Sequence, residues 1–122
     1  MLTFDDIIDS FARVCSKKTV VSDDIRSLSY SNLQSNGSNL ATFFKKYKII
    51  KGNRVALLSY NRIEFAEILY ATSKLGNIIM PINFRLSKEE IVSIVKDANP
   101  KFLLYEREFF QTINYLVKNN FF

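Results

Sequence analysis

Apolar positions in the second half of the chain alternate between two periods. Val55, Ala56, Leu57 and Leu58 form a continuous apolar run, the pattern of a strand buried on both faces. Phe65, Ile68, Leu69, Thr72 and Leu75 then recur at steps of three and four, which places them on one face of a helix. Ile78, Ile79 and Met80 form a second apolar run, and Pro81 marks its end or a sheet edge. Ile91, Ile94, Val95 and Ala98 return to the helical period, and Phe102 to Tyr105 form a third short run. Strands over 54–59, Ile78–Ile82 and 101–105, with a helix between each pair, give a β-α-β-α-β order. That order predicts an α/β fold: three layers, with a mainly parallel sheet flanked by helices and right-handed crossovers between its strands.

The helix ends carry their own signals. Asn61 with Glu64, and Ser87 with Glu90, have the spacing of capping boxes, in which a side-chain oxygen and a later carboxylate satisfy orphan backbone N–H groups. Gly76 stands where a left-handed residue would close the first of these helices, and Pro100 stops the second. Upstream, Thr3 and Asp6 form another cap pair. Phe4, Ile7, Ile8, Phe11, Val14 and Cys15 mark the expected inner face of an N-terminal helix, and Lys17 and Lys18 suit its C-terminal dipole. Thr19–Ser22 and Ser27–Ser29 flank a polar turn at Asp23 and Asp24, which predicts a small β-hairpin. A longer helix is expected over 30–47, with Leu33, Leu40, Phe43 and Phe44 inward. Gly37 inside it costs roughly 1 kcal/mol relative to Ala; it either admits a close helix contact or is merely tolerated. The stretch 106–118 carries Phe109, Phe110, Ile113, Leu116 and Val117 on a helical period.

Composition narrows the class. A length of 122 residues supports a single domain, 1–122, with one modest core. With 48% hydrophobic and 24% charged residues the chain is globular rather than disordered. No apolar run approaches the ~20 residues a membrane span needs, and no secretory signal pattern is visible at the N-terminus. The single Cys15 excludes an internal disulfide and suits a reducing cytoplasm. There is no His, which removes the commonest general base and transition-metal ligand. The three glycines, Gly37, Gly52 and Gly76, are too scattered to build a phosphate-cradling loop.

The ordered residues of the second half support a family assignment. Gly52, Arg54, Val55 and Ala56 are followed by Asn61, Glu64 and Phe65, then by Ala71, Gly76, Pro81, Asn83, Arg85, Leu86 and Glu90. This series resembles the N-terminal part of the AMP-forming adenylating enzymes, which include acyl-CoA synthetases, firefly luciferase and peptide-synthetase adenylation domains. Asn53, Asn77 and Ile82 depart from the family's usual Asp, Ala and Leu. Upstream, Ser29-Tyr30-Ser31-Asn32-Leu33 is similar to the family's Thr-Tyr-x-Glu-Leu helix start, so the resemblance covers about residues 1–105. It implies an enzyme that joins a carboxylic acid to AMP and then to CoA, using ATP and Mg2+. In that family the phosphate loop ending in Pro-Lys-Gly, the aromatic-Thr-Glu motif, the ribose-binding Asp and the C-terminal catalytic Lys all lie beyond the part matched here. The resemblance therefore implies a chain truncated before the phosphate loop: a structural subdomain with no catalytic residue and no metal ligand, binding no cofactor alone and inactive alone.

Candidate sites each have a plainer reading. The resemblance makes Arg85 a possible contact for a CoA phosphate, since a guanidinium is a planar fork suited to phosphate oxygens; otherwise it is an exposed loop arginine. Asn83 is expected to bond local backbone in the turn. Ser59 and Tyr60 follow a strand at the edge where parallel sheets bind ligands, or are ordinary strand-end residues. Lys45, Lys46, Lys48, Lys51 and Arg54, within a net charge of +5, could serve a nucleic acid or a membrane surface. The favoured reading is a solvated helix end, because no recognition motif accompanies the charge, and no nucleic-acid partner is expected. Cys15 is expected to be a small buried filler rather than a nucleophile. The expected partners are a second copy, as a two-fold dimer through the aromatic end Phe109, Phe110, Tyr115, Phe121 and Phe122, or the remainder of the enzyme. A stand-alone interaction module on the same frame is the rival reading.

Overall fold

The computed structural model describes residues 2–122. In chain order its elements are α1 (Phe4–Val14), β1 (Thr19–Ser22), β2 (Ser27–Ser29), α2 (Tyr30–Lys46), β3 (Arg54–Leu58), α3 (Glu64–Leu75), β4 (Ile78–Ile82), α4 (Lys88–Ala98), β5 (Phe102–Tyr105), a 3-10 turn (Arg107–Phe109) and α5 (Phe110–Lys118). The fold class is α/β, as the alternating periods predict. The described residues divide into two compact units. The first runs up to Gly52 and adds Asn61–Asn77; the second comprises Asn53–Tyr60 and Ile78–Phe122.

The first unit holds α1, the hairpin, α2 and α3. The hairpin pairs antiparallel, with an irregularity between Thr19 and Val21. Its turn closes on Asp23, whose Oδ1 accepts from the N–H groups of Ile25 and Arg26 at 2.8 Å each; these bonds hold the Asp23 carboxyl below its usual range. Helix α2 starts at a working cap: Asn32 N–H donates to Ser29 Oγ at 3.1 Å, an arrangement that contributes about 1 kcal/mol. The core of this unit gathers Ile8, Leu28, Leu33, Ile63 and Tyr70.

Gly37 resolves into the close-contact reading. It is buried in α2, and a Cβ built there would stand 2.3 Å from Tyr70 Cδ1 and 2.8 Å from Cγ. Only a residue without a side chain lets the ring of α3 lie on the α2 backbone. Tyr70 is fully buried and cannot step aside, because its hydroxyl donates to Asp9 Oδ1 at 2.6 Å. Gln34 Nε2 donates to the same oxygen at 2.9 Å, so α1, α2 and α3 share one acceptor. Burial, then the Asp9 bond, pushes the Tyr70 phenol above its ordinary pKa.

The second unit is built on a parallel sheet of order β4-β3-β5. Arg54 to Leu58 align with Ile78 to Ile82 on one side, and Val55 to Leu58 align with Phe102 to Tyr105 on the other. Central β3 buries Val55, Ala56, Leu57 and Leu58, so both faces of the strand are covered, as its unbroken apolar run requires. Ala56 and Leu58 join Ile82, Ile91, Val95, Ile113 and Leu116 in this unit's core. Pro81 lies within β4, which is an edge strand, where a missing donor leaves no ladder bond broken. Helix α4 opens on the expected box: Glu90 N–H donates to Ser87 Oγ at 3.2 Å, and Ser87 N–H donates to Glu90 Oε2 at 2.7 Å.

Several expectations need correction. Helix α1 buries only Ile8, while Ile7, Phe11 and Val14 are exposed and Cys15 is half-buried; its apolar stripe is wider than the surface available to cover it. Phe11 instead stacks on Tyr30 at 5.1 Å. Phe43, expected inside, is exposed. Asn61 does not cap α3: the cap position is Ile63, in helical geometry and without a side-chain cap. That helix starts through tight turns, from Phe65 N–H to Arg62 O and from Ala66 N–H to Ile63 O, which leave Asn61 upstream. Strand β3 ends at Leu58 and β5 begins at Phe102. The segment after β5 begins as a 3-10 turn rather than a continuous α-helix.

The Gly37 contact generates a prediction whose sign opposes helix propensity. Propensity alone makes Gly37→Ala stabilising by about 1 kcal/mol, whereas overpacking against an anchored ring costs roughly 1–3 kcal/mol. A lower urea midpoint for the variant is expected; a raised midpoint would contradict the contact.

Candidate functional site

Because β3, β4 and β5 run parallel, their carboxyl ends leave the sheet on one edge. In open parallel sheets that edge is where ligands bind. The residues delivered there are Ser59 and Tyr60 after β3, Asn83, Phe84 and Arg85 after β4, and Glu106 and Arg107 after β5.

Glu106 ties two of these ends together. Its Oε1 accepts from Ser59 Oγ at 2.6 Å and from Tyr60 N–H at 2.9 Å, while its own N–H donates to Leu58 O at 3.1 Å. The Ser59 hydroxyl has a second acceptor in reach, the Tyr60 carbonyl at 2.7 Å. With its single proton engaged by these acceptors and no His in the chain, Ser59 is a brace between loops and lacks the base a nucleophile needs. An aromatic trio ties in the third end. Tyr60 meets Phe84 edge-on at 4.8 Å and Phe109 at 5.1 Å, and Phe84 lies 6.5 Å from Phe109. Such pairs each contribute about 0.5–1.5 kcal/mol beyond the area they bury.

Arg85 projects from this braced edge. Its N–H donates to Asn83 Oδ1 at 3.0 Å, and Leu86 N–H donates to Asn83 O at 3.1 Å, so Asn83 shapes the turn as its residue type predicts. The Arg85 guanidinium lies 5.1 Å from the centre of the Phe84 ring and is exposed. A guanidinium steadied on a ring face keeps donors for an anion's oxygens.

The other sequence candidates are not brought here. Arg54 Nη1 donates to Ala98 O at 3.0 Å, at the carbonyl end of α4. Lys45, Lys46, Lys48 and Lys51 belong to the first unit and are all exposed. Cys15 sits at the C-cap of α1, its N–H donating to Phe11 O at 2.7 Å. The brace made by Glu106 was missed in the sequence, where that residue read only as the start of a helical stretch; its partners lie more than forty residues away and no local spacing announces them.

Among the described residues no three His, Cys, Asp or Glu side chains converge on a common point. The glycines are committed elsewhere: Gly37 to the Tyr70 contact, Gly76 to the left-handed end of α3 at φ 71°, and Gly52 to a turn at φ 87°.

Comparison with known proteins agrees with the geometry. The family model described as AMP-binding enzyme matches residues 8–120. A long-chain-fatty-acid–CoA ligase of Mycobacterium tuberculosis is 36% identical over 84 residues, which is 69% of this chain and 16% of that relative. Among solved structures, one from Rhodopseudomonas palustris described as a long-chain-fatty-acid CoA ligase superposes with a TM-score of 0.92. It is 24% identical, over 97% of this chain and 30% of its own, and at that identity it establishes the fold alone. An inhibitor-bound N-terminal domain of a ligase from Mycobacterium tuberculosis gives a TM-score of 0.90 at 26% identity, over 95% of this chain and 30% of its own. The chain thus spans about one-sixth of the length of the first curated relative.

Proposed function

The chain belongs to the AMP-binding enzyme family, and on that premise we propose that it is the N-terminal portion of an AMP-forming acyl-CoA ligase acting on a fatty acid. The two compact units together make one N-terminal subdomain. It supplies scaffold to the enzyme and turns nothing over by itself. The observation that carries this reading is the pairing of a family match over 8–120 with coverage of only 16% of the ligase relative. ATP, Mg2+ and CoA are cofactors of the whole enzyme, which works in a reducing cytoplasm that suits the lone Cys15.

Within that enzyme Arg85 contacts a phosphate of CoA. Its exposed guanidinium, steadied by Phe84 at the carboxyl edge of the sheet, supports the assignment. An assay of pyrophosphate release with ATP, CoA and a series of fatty acids returns no turnover from this chain; measurable turnover would overturn the scaffold reading. In a ligase carrying the complete family fold, Arg85→Ala raises KM for CoA and leaves KM for the fatty acid unchanged; an unchanged KM for CoA would remove Arg85 from the site.

A second reading rests on α5. Phe110 and Val117, two turns apart on one face of α5, are exposed, as are Tyr115 and Phe122, and exposed apolar surface favours a partner. As a separate module the chain self-associates there as a two-fold dimer. Sedimentation velocity at high concentration then gives a dimer that Phe110→Ser weakens; a monomer throughout would refute it.

A further inference from the structure

The end of α2 and the loop after it present a second surface, within the first unit. Phe43 and Tyr47 lie one helical turn apart, with ring centroids 4.8 Å from each other. They are 44% and 55% exposed, and Ile50 in the following loop is 65% exposed. Ile49 between them is buried and pins the loop, helped by its N–H donating to Phe44 O at 3.2 Å. Asn77 Nδ2 donates to Ile50 O at 2.7 Å and fixes the backbone from the α3 side. The three apolar side chains are therefore held outward on a braced turn.

Four lysines lie in the same stretch of chain. Lys45, Lys46, Lys48 and Lys51 are all exposed, and the ion pairs of the described residues, from Arg26 to Glu64 and Glu67, do not involve them. Across residues 25–63 the chain has no Asp or Glu, so the sequence neighbours of these lysines carry no opposite charge. Lys48 takes the left-handed conformation, φ 60°, which turns the chain away from the helical path of α2.

We propose that this turn docks on the surface of an anionic lipid bilayer, with Phe43, Tyr47 and Ile50 entering the headgroup boundary and the lysines meeting lipid phosphates. Exposed rings and a branched aliphatic chain, with exposed lysines in the same stretch, suit the boundary between acyl chains and headgroups. Long lysine side chains lie along apolar surface and keep their ammonium groups in the charged layer. A nucleic acid explains the observations less well. Ile50 offers a phosphate or a base edge nothing, and the Phe43 and Tyr47 rings pack against each other at 50° rather than presenting a parallel stacking platform. No helix of the described residues is long and apolar enough to cross a membrane, so the contact is peripheral. It stands independently of the ligase reading.

The test is co-sedimentation of the full-length protein with phosphatidylcholine vesicles, with and without phosphatidylglycerol. Binding is expected only with phosphatidylglycerol, and to weaken with salt. Lys45→Gln and Lys46→Gln each lower the partition coefficient roughly fivefold. The paired change Phe43→Ser with Ile50→Ser abolishes binding at moderate salt while leaving the circular dichroism unchanged. The chain has no Trp, so Ile50→Trp gives a single reporter whose emission shifts to the blue on the vesicles and is quenched by nitroxide-bearing lipids. Absence of binding, binding indifferent to the Phe43 and Ile50 changes, an unshifted Trp emission, or tighter binding to duplex DNA than to the vesicles would each overturn the proposal.

Discussion

The pairing of β3 with a parallel neighbour on each side is the constraint from which the second unit follows. Val55, Ala56, Leu57 and Leu58 are buried, so their backbone N–H and C=O groups have no recourse to water. Each unpaired group would cost about 1–3 kcal/mol. Two neighbours in register supply the partners, and parallel neighbours cannot be reached by a tight turn. The chain must travel through a helix between β3 and β4 and through another between β4 and β5. Capping at Ser87 and the left-handed residues Gly76 and Asn99 start and stop those excursions where the register demands.

The same constraint makes the candidate site. Three parallel strands deliver three loops to one edge, and the edge is stiffened by a carboxylate and by three rings rather than left as free loops. Glu106 serves Ser59 and Tyr60, and Tyr60 serves Phe84 and Phe109. Arg85 thereby stands on a supported turn, which is what a residue needs if it is to meet a phosphate in one place. In the first unit a different economy holds. Gly37, Tyr70 and Asp9 knit three helices through one close approach and one shared acceptor.

What could be read in the residues followed how local the cause was. Strands β3 and β4, the boxes at Thr3 and Ser87, and the Gly76 stop are set by neighbours within four positions, and they lie where spacing put them. The resemblance in the segment from Gly52 to Glu90 added the family, because ordered motifs survive where single ones do not. Asn61 failed as a cap because a tighter turn at Arg62 and Ile63 started α3 later. Ile7, Phe11 and Val14 failed as core because a helical stripe states what is apolar, not what arrives to cover it. Gly37 was ambiguous until Tyr70 was seen against it, and Glu106 was silent because its partners are distant in sequence. Arg85 was singled out only through the family motif; nothing in its own sequence neighbours does so.

The account of the second unit stands or falls on β3 as its central strand. Amide hydrogen exchange followed by NMR addresses this residue by residue, since protection tracks the stability of the unit in which a bond is held. The N–H groups of Val55 to Leu58 should be the slowest of that unit and should exchange only on its global unfolding, with the outer-edge amides of β4 and β5 faster. If β3 exchanges as fast as those edges, the parallel arrangement and the site built on its carboxyl end are both contradicted.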